Sequence, residues 1–215
     1  MRSKYSIVVL VSGSGSNLQA LIDACTEGQI DGEINAVISN KPGVYGLQRA
    51  EKHGITTQAL EHQHFNSRED FDKNLINVID RYNPDLVVLA GFMRILSAGF
   101  VNHYDGRLLN IHPSLLPAYK GLNTHQRALD GEAKYHGASV HFVSAGLDDG
   151  PVIMQARVPV KADDDASSLA TRVLAKEHII YPQVVEWFCA GRLKLKDHRI
   201  WLDNQLLQTP VILGD

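Results

Sequence analysis

Ile7-Val-Val-Leu-Val11, then Ser12-Gly-Ser-Gly-Ser16, then Asn17-Leu-Gln-Ala-Leu-Ile22: this run of the chain decides its fold. A continuous apolar run without polar alternation reads as a strand that needs cover on both faces. The glycines and serines that follow break the strand, and the apolar spacing after them is helical to about Thr26. A buried strand, a tight Gly/Ser turn and a helix make the opening unit of a parallel α/β sheet.

The same alternation continues outward. Ile34–Ser39 reads as a second strand and Gly46–His53 as a short helix closed by Gly54. Thr56–Leu60 reads as a third strand. Arg68–Tyr82 places Phe71, Leu75, Ile76, Val78 and Ile79 at helical spacing and stops at Asn83-Pro84. Leu86–Ala90 and Leu108–His112 are two more apolar strands. After Pro117 the texture changes. A Gly121–Thr124 loop leads to a short helix around His125–Leu129, then β-like segments at Ala138–Val143 and Val152–Val158. A long helix from about Ala166 to Cys189 follows, with caps expected among Asp163–Asp165 and a stop at Gly191. The expectation is an α/β fold, a mostly parallel twisted sheet with helices on both faces, Rossmann-like. It forms one domain over 1–215, with a phosphate- or nucleotide-binding half to about residue 100 and a catalytic half from about 101.

Composition excludes several classes. The 215 residues are 44% hydrophobic and 21% charged, with a formal net charge of −3 and no dense Lys/Arg run. That argues against a polyanion-holding protein. No apolar stretch reaches the length of a membrane span, and Ile7–Val11 is too short for a signal-peptide core. Cys25 and Cys189 are too few for a disulfide framework or zinc knuckle and read as packing residues. His62 and His64 flank Gln63 without a third ligand nearby and read as a surface turn. The expected setting is the cytoplasm, with no metal, no nucleic acid and no membrane, as a monomer or homodimer.

Two segments carry chemistry. Strand, Ser12-Gly-Ser-Gly-Ser-Asn17, helix presents backbone N–H groups and a positive helix end to an anion. It lacks the third glycine of a dinucleotide fingerprint and the Gly-Lys-Ser/Thr of a Walker loop, so a small phosphate monoester fits, beside the alternative of an ordinary βα turn. Asn110-Ile-His-Pro-Ser-Leu-Leu-Pro117 ends a strand, and Asn110 and His112, two apart, share a face at its carboxyl end. In open α/β sheets ligands bind at that end. An amide donor and an imidazole there can stabilise an oxyanion during acyl transfer. Asp148, in Leu147-Asp-Asp-Gly150, can orient an imidazole or order a proton-accepting water. By spacing alone it reads as a solvated turn residue, with Asp149 beside it as a decoy. His141 shares a strand face with Ser139, and strand geometry leaves open whether that face meets the site.

Taken together these segments resemble the 10-formyltetrahydrofolate-dependent formyltransferases. The resemblance runs through Ser12–Ala20, Leu89-Ala-Gly-Phe-Met-Arg-Ile-Leu96, Asn110–Pro117, Gly137–Phe142, Leu147–Pro151 and Glu177-His-x-x-Tyr-Pro182. The N-terminal loop and the Leu89–Leu96 segment resemble the branch that formylates glycinamide ribonucleotide in purine synthesis. The resemblance implies that Asn110, His112 and Asp148 are catalytic. It implies that Gly15, Ser16 and Asn17 hold the ribonucleotide phosphate and Glu177 its sugar. Arg68, Met93, Arg94, Ile95 and Leu96 would bind 10-formyltetrahydrofolate, the co-substrate, with Asn110 and the loop Ser144, Ala145, Gly146, Leu147 and Asp148. The resemblance implies that relatives formylating methionyl-tRNA carry a further C-terminal domain and the related hydrolase a further N-terminal one, and the expectation here is neither. Three residues depart from the family pattern: Asp149 stands where Gly is common, Ala145 where an acid is usual, and Lys120 where proline is frequent.

Overall fold

The structure, a computed structural model, describes residues 4–213. The chain divides into two compact units, the first ending at Asn110 and the second beginning at Ile111. In the first unit, β1 (Tyr5–Val11), α1 (Ser16–Thr26), β2 (Gly32–Ser39), α2 (Tyr45–Lys52), β3 (Thr56–Ala59), α3 (Arg68–Ile79), β4 (Leu86–Leu89) and α4 (Ala98–His103) alternate along the chain. Strand β5 (Leu108–His112) crosses the boundary. In the second unit come α5 (Thr124–Asp130), β6 (Tyr135–Phe142), β7 (Val152–Pro159), α6 (Ala166–Cys189), β8 (Leu193–Lys196), β9 (Arg199–Leu202), β10 (Gln205–Leu206) and β11 (Val211–Leu213).

The main sheet has eight strands in the order β11-β7-β6-β5-β4-β1-β2-β3. Strands β3, β2, β1, β4 and β5 pair in parallel, β6 with β7 antiparallel, and β11 parallel to β7. The mostly parallel α/β sheet expected from the sequence is what forms. Residues Ile7–Val11 and Leu86–Leu89 are buried without a break, as covered strands must be. Each such Val, Leu or Ile contributes about 1.5–3 kcal/mol on burial. Because β1 lies between β2 and β4, the strand order reverses there, and the βα loops at that switch point open at the carboxyl edge where ligands bind. The register sets Leu10 against Leu89, and Leu89 against Asn110.

Local differences from the sequence reading have local causes. α3 ends at Ile79, and Asp80–Tyr82 continue as a 3₁₀ turn before Asn83 takes φ +44. Ser67 caps α3 by accepting from Asp70 N. α4 escaped the reading because it is only one and a half turns long; Ser97 caps it. Its two buried residues, Phe100 and Val101, are too few for a helical period. α6 has the span expected, with Asp165 as the cap in a reciprocal box with Ser168. The small sheet β10-β9-β8 and strand β11 lie in the tail, where each strand has only two to four residues.

His136 opens the buried part of β6, and its Nε2 lies 3.1 Å from Nδ1 of His125 on α5. Burial pushes His136 down to about 4, helped by the neighbouring imidazoles of His125 and His112 and opposed by the Pro113 carbonyl. Burial, then the charge of His112, lowers His125 as well. A histidine whose folded pKa lies below its unfolded value near 6.5 is held neutral in the native state, so the unfolded chain binds more protons. That stability is fully present above about pH 6.5 and is lost as pH falls toward about 4. His136→Gln is therefore expected to flatten the fall in Tm across that window relative to the wild type, measured by thermal melts at matched ionic strength. An unchanged slope would count against it.

Candidate active site

Strand β5 delivers His112 to its end, and Pro113 stops the ladder there. The segment after it is held from below by side chains of β6 and β7. Ser139 Oγ donates to the Ser114 carbonyl (2.6 Å) and accepts from Leu116 N (3.0 Å). Gln155 Nε2 donates to Leu116 O and to Ser139 Oγ, each at 2.9 Å. Ser114 Oγ donates to Ala118 O at 2.6 Å. Ser139 is fully buried and Gln155 nearly so. These bonds set where Tyr119 lies, and its carbonyl accepts from His112 Nε2 at 3.0 Å.

The other face of the imidazole meets Asp148. His112 Nδ1 is 3.4 Å from Asp148 Oδ2, and that oxygen also accepts from Gly121 N at 2.9 Å. The His112 and Asp148 side chains are 8% and 11% exposed. Asp148 reaches the ring because it takes φ +46 in the loop between β6 and β7, a conformation Asp tolerates better than most residues. Gly150 closes the turn, since a Cβ there would strike the Phe142 carbonyl. His141 lies behind, with Nδ1 donating to Phe142 O (2.9 Å) and Nε2 3.9 Å from Asp148 Oδ1. Burial depresses its pKa, opposed by that carbonyl and by Asp148. The face of β6 that carries Ser139 and His141 is thus the one behind His112 and Asp148.

Asp149 points elsewhere. It is 65% exposed and pairs with Lys120, whose ammonium holds its carboxyl below the usual carboxylate range. Lys120 and Asp149, both singled out in the sequence, therefore bond to each other. Lys120 and Gly121 of one loop join Asp149 and Asp148 of the other, and Arg127 Nη1 donates to Lys120 O at 2.7 Å. Ala145 and Gly146 are exposed on the same loop as Leu147 (52% exposed), while Ser144 is half-buried. Glu177 is buried on α6.

In the first unit, Asn110 ends its part of β5 beside Leu89. After β4, Gly91 O accepts from Ser12 N (3.1 Å), and Met93 N donates to Ser12 Oγ (2.8 Å). Ser12 Oγ in turn donates to Asn40 Oδ1. His62 Nδ1 lies 3.0 Å from the Asn40 carbonyl, so the expected surface turn is tied to the end of β2. Met93 and Ile95 are 67% and 58% exposed, an unusual display of apolar side chains, while Leu96 is buried. Arg94 sits over the Phe71 ring at 4.8 Å. Arg68 is taken up by its neighbour Glu69 at 3.0 Å. Gly15 has φ +69 and caps α1, so Ser16 and Asn17 begin the helix as expected. Among the described residues no group of three or more His, Cys, Asp and Glu could hold a metal ion, and no helix is long and apolar enough to cross a membrane. Burial raises the Cys25 thiol to about 11, and Cys189 is buried, as packing residues would be.

The formyl transferase family profile matches residues 5–185. The chain belongs to the formyl transferase family. It is 57% identical over 202 residues to a phosphoribosylglycinamide formyltransferase of Escherichia coli, covering 94% of this chain and 95% of that one. It is 44% identical to part of the human trifunctional purine biosynthetic protein adenosine-3, covering 92% of this chain and 20% of that one. The solved phosphoribosylglycinamide formyltransferase of Coxiella burnetii superposes with a TM-score of 0.94 at 50% identity, covering 98% of this chain and all of that one.

Within this formyl transferase, the residues that sequence reasoning missed are the supports: Ser139, Gln155, Tyr119 and the Lys120–Asp149 pair. Only the alternation of Ser139 and His141 offered a signal. Ser139→Ala removes one donor and one acceptor from a buried network, and is expected to cost about 1–3 kcal/mol. Denaturant unfolding would measure that cost, and faster amide exchange across 114–121 should accompany it; full stability in this variant would refute the support role.

Proposed function

We propose that this formyltransferase moves a formyl group from 10-formyltetrahydrofolate to the amine of glycinamide ribonucleotide, and that Asn110, His112 and Asp148 carry the transfer. The protein is an enzyme acting on small-molecule substrates, as its family membership and its relatives' names establish. The observation that carries the residue assignment is the Asp148 carboxylate lying 3.4 Å from the ring of His112, with Asn110 two residues earlier on the same strand.

In this reading the substrate amine adds to the formyl carbon and negative charge builds on the formyl oxygen. Asn110 and His112 donate to that oxygen. His112 Nε2 now donates to the Tyr119 carbonyl, so reaching the formyl oxygen requires the ring or residues 118–121 to shift when substrate arrives. Asp148 orients the imidazole and, through a water, takes the proton that the amine sheds. Collapse of the intermediate delivers a proton to the departing folate nitrogen; with His112 as the donor, the ring regains the proton that Asp148 took from the amine, so the site ends as it began. Direct passage between two held substrates makes positioning a large share of the acceleration.

Gly15, Ser16 and Asn17 would take the phosphate and Glu177 the sugar. Arg68, Arg94 and the exposed Met93 and Ile95 would take the folate, with Leu96 and the loop of Ser144, Ala145, Gly146 and Leu147. The setting that accompanies this reading is the cytoplasm, without nucleic acid, as a monomer or homodimer.

The test is a spectrophotometric assay of formyl loss from a 10-formyl folate with and without glycinamide ribonucleotide. Loss that depends on the ribonucleotide is expected; loss to water alone would replace the transferase reading with a hydrolase. His112→Ala and Asn110→Ala are each expected to lower kcat by about 100- to 1,000-fold, as loss of one oxyanion donor does. Near-normal transfer by His112→Ala would remove that residue from the mechanism.

A further inference from the structure

The loop between β1 and α1 is gripped from one side by the first turn and a half of α2. Gly46 N donates to the Gly13 carbonyl at 2.9 Å. Arg49 Nε donates to the Ser14 carbonyl at 2.9 Å, and its Nη1 to Gln19 Oε1 on α1 at 3.1 Å. The guanidinium also stacks over the Tyr45 ring, 4.5 Å from its centroid. The approach is so close that a Cβ on Gly15 would lie 2.6 Å from the Gly46 Cα. A Cβ on Gly46 would lie 3.1 Å from Val11 Cγ2 and 3.2 Å from the Gly13 carbonyl.

Peptide geometry gives this grip a consequence. In a trans peptide the C=O and the following N–H point in opposite directions. Fixing the Gly13 carbonyl toward Gly46 turns the Ser14 N–H away from α2. Fixing the Ser14 carbonyl toward Arg49 does the same for the Gly15 N–H. Gly15 then enters the left-handed region at φ +69, and a residue so placed next to helical backbone makes the kind of N–H concavity that takes an anion.

We propose that Arg49 is a positioning residue for the phosphate of the acceptor substrate. It does not touch the phosphate. Its Nε and Nη1 donate to Ser14 and Gln19 and its face lies over Tyr45, and it acts by holding successive peptide planes so that their N–H groups face the ligand. This rests on the phosphate role given above to Gly15, Ser16 and Asn17. Two adjacent donors on one rigid fork span the Ser14 carbonyl and Gln19 together; a lysine ammonium offers no such fork.

The experiment compares wild type with Arg49→Met, which keeps an unbranched stem but has no donors, and with Arg49→Lys. Calorimetric titration with inorganic phosphate is run alongside steady-state kinetics and thermal melts. Arg49→Met is expected to weaken phosphate binding and raise KM for the ribonucleotide by about tenfold or more, the scale of a lost charge-assisted hydrogen bond. Its kcat, KM for the folate and Tm should stay near wild type, and Arg49→Lys should restore only part of the loss. Unchanged phosphate affinity in Arg49→Met overturns the clamp, as does full restoration by Arg49→Lys. A joint fall in Tm, kcat and both affinities overturns it too, since that marks a general packing role. Wild-type protein that takes no phosphate overturns the phosphate reading itself and the clamp with it, whereas wild-type binding with an indifferent variant removes the clamp alone.

Discussion

The register of three parallel strands governs what the first unit can do. Leu10, Leu89 and Asn110 lie side by side, so β1, β4 and β5 reach the same carboxyl edge of the sheet. Evenly spaced parallel hydrogen bonds allow no independent sliding of one strand without loss of the ladder. The Gly/Ser loop, the Met93–Leu96 segment and the Asn110 amide are thereby delivered to one edge. Ser12 secures the arrangement locally, bonding to Gly91 and Met93 after β4 and to Asn40 after β2.

In the second unit the same problem is solved without a parallel ladder. His112 is held by bonds from loops, and those loops are held by the buried hydroxyl of Ser139 and the amide of Gln155. Buried polar groups are costly unless satisfied, and here the partners are carbonyls and N–H groups of a turn that has no other ladder to join. An arrangement built this way depends on its supports as much as on the His112–Asp148 pair they hold. The Lys120–Asp149 pair adds a surface link beside the Gly121–Asp148 bond, in a loop where screening by salt reduces its strength.

Much of this was legible from residues. The apolar runs at Ile7–Val11 and Leu86–Leu89 and the helical spacing of Phe71, Leu75 and Val78 each specify one kind of element, because period and burial coincide. The long helix α6 was readable at both ends, where Asp165 and Gly191 mark cap and stop. Short elements were not. α4 has one turn and a half, and β8, β9 and β10 are two to four residues long, too short for their pattern to specify an element. Among the proposed site residues, Asn110 and His112 were legible because a strand puts alternate residues on one face. The choice of Asp148 over Asp149 came from resemblance.

The sequence alone therefore determined the alternating α/β architecture, the Gly/Ser turn and the same-face pair on β5, all consequences of periodicity within a few residues. Tertiary structure decided which partner each polar group met. It turned Asp148 toward His112 and Asp149 toward Lys120, set His141 behind the carboxylate, and brought Arg49 onto the carbonyl of Ser14. Such contacts join residues far apart in the chain. They follow from where whole elements pack and from backbone angles such as φ +46 at Asp148, which adjacent residues alone do not impose.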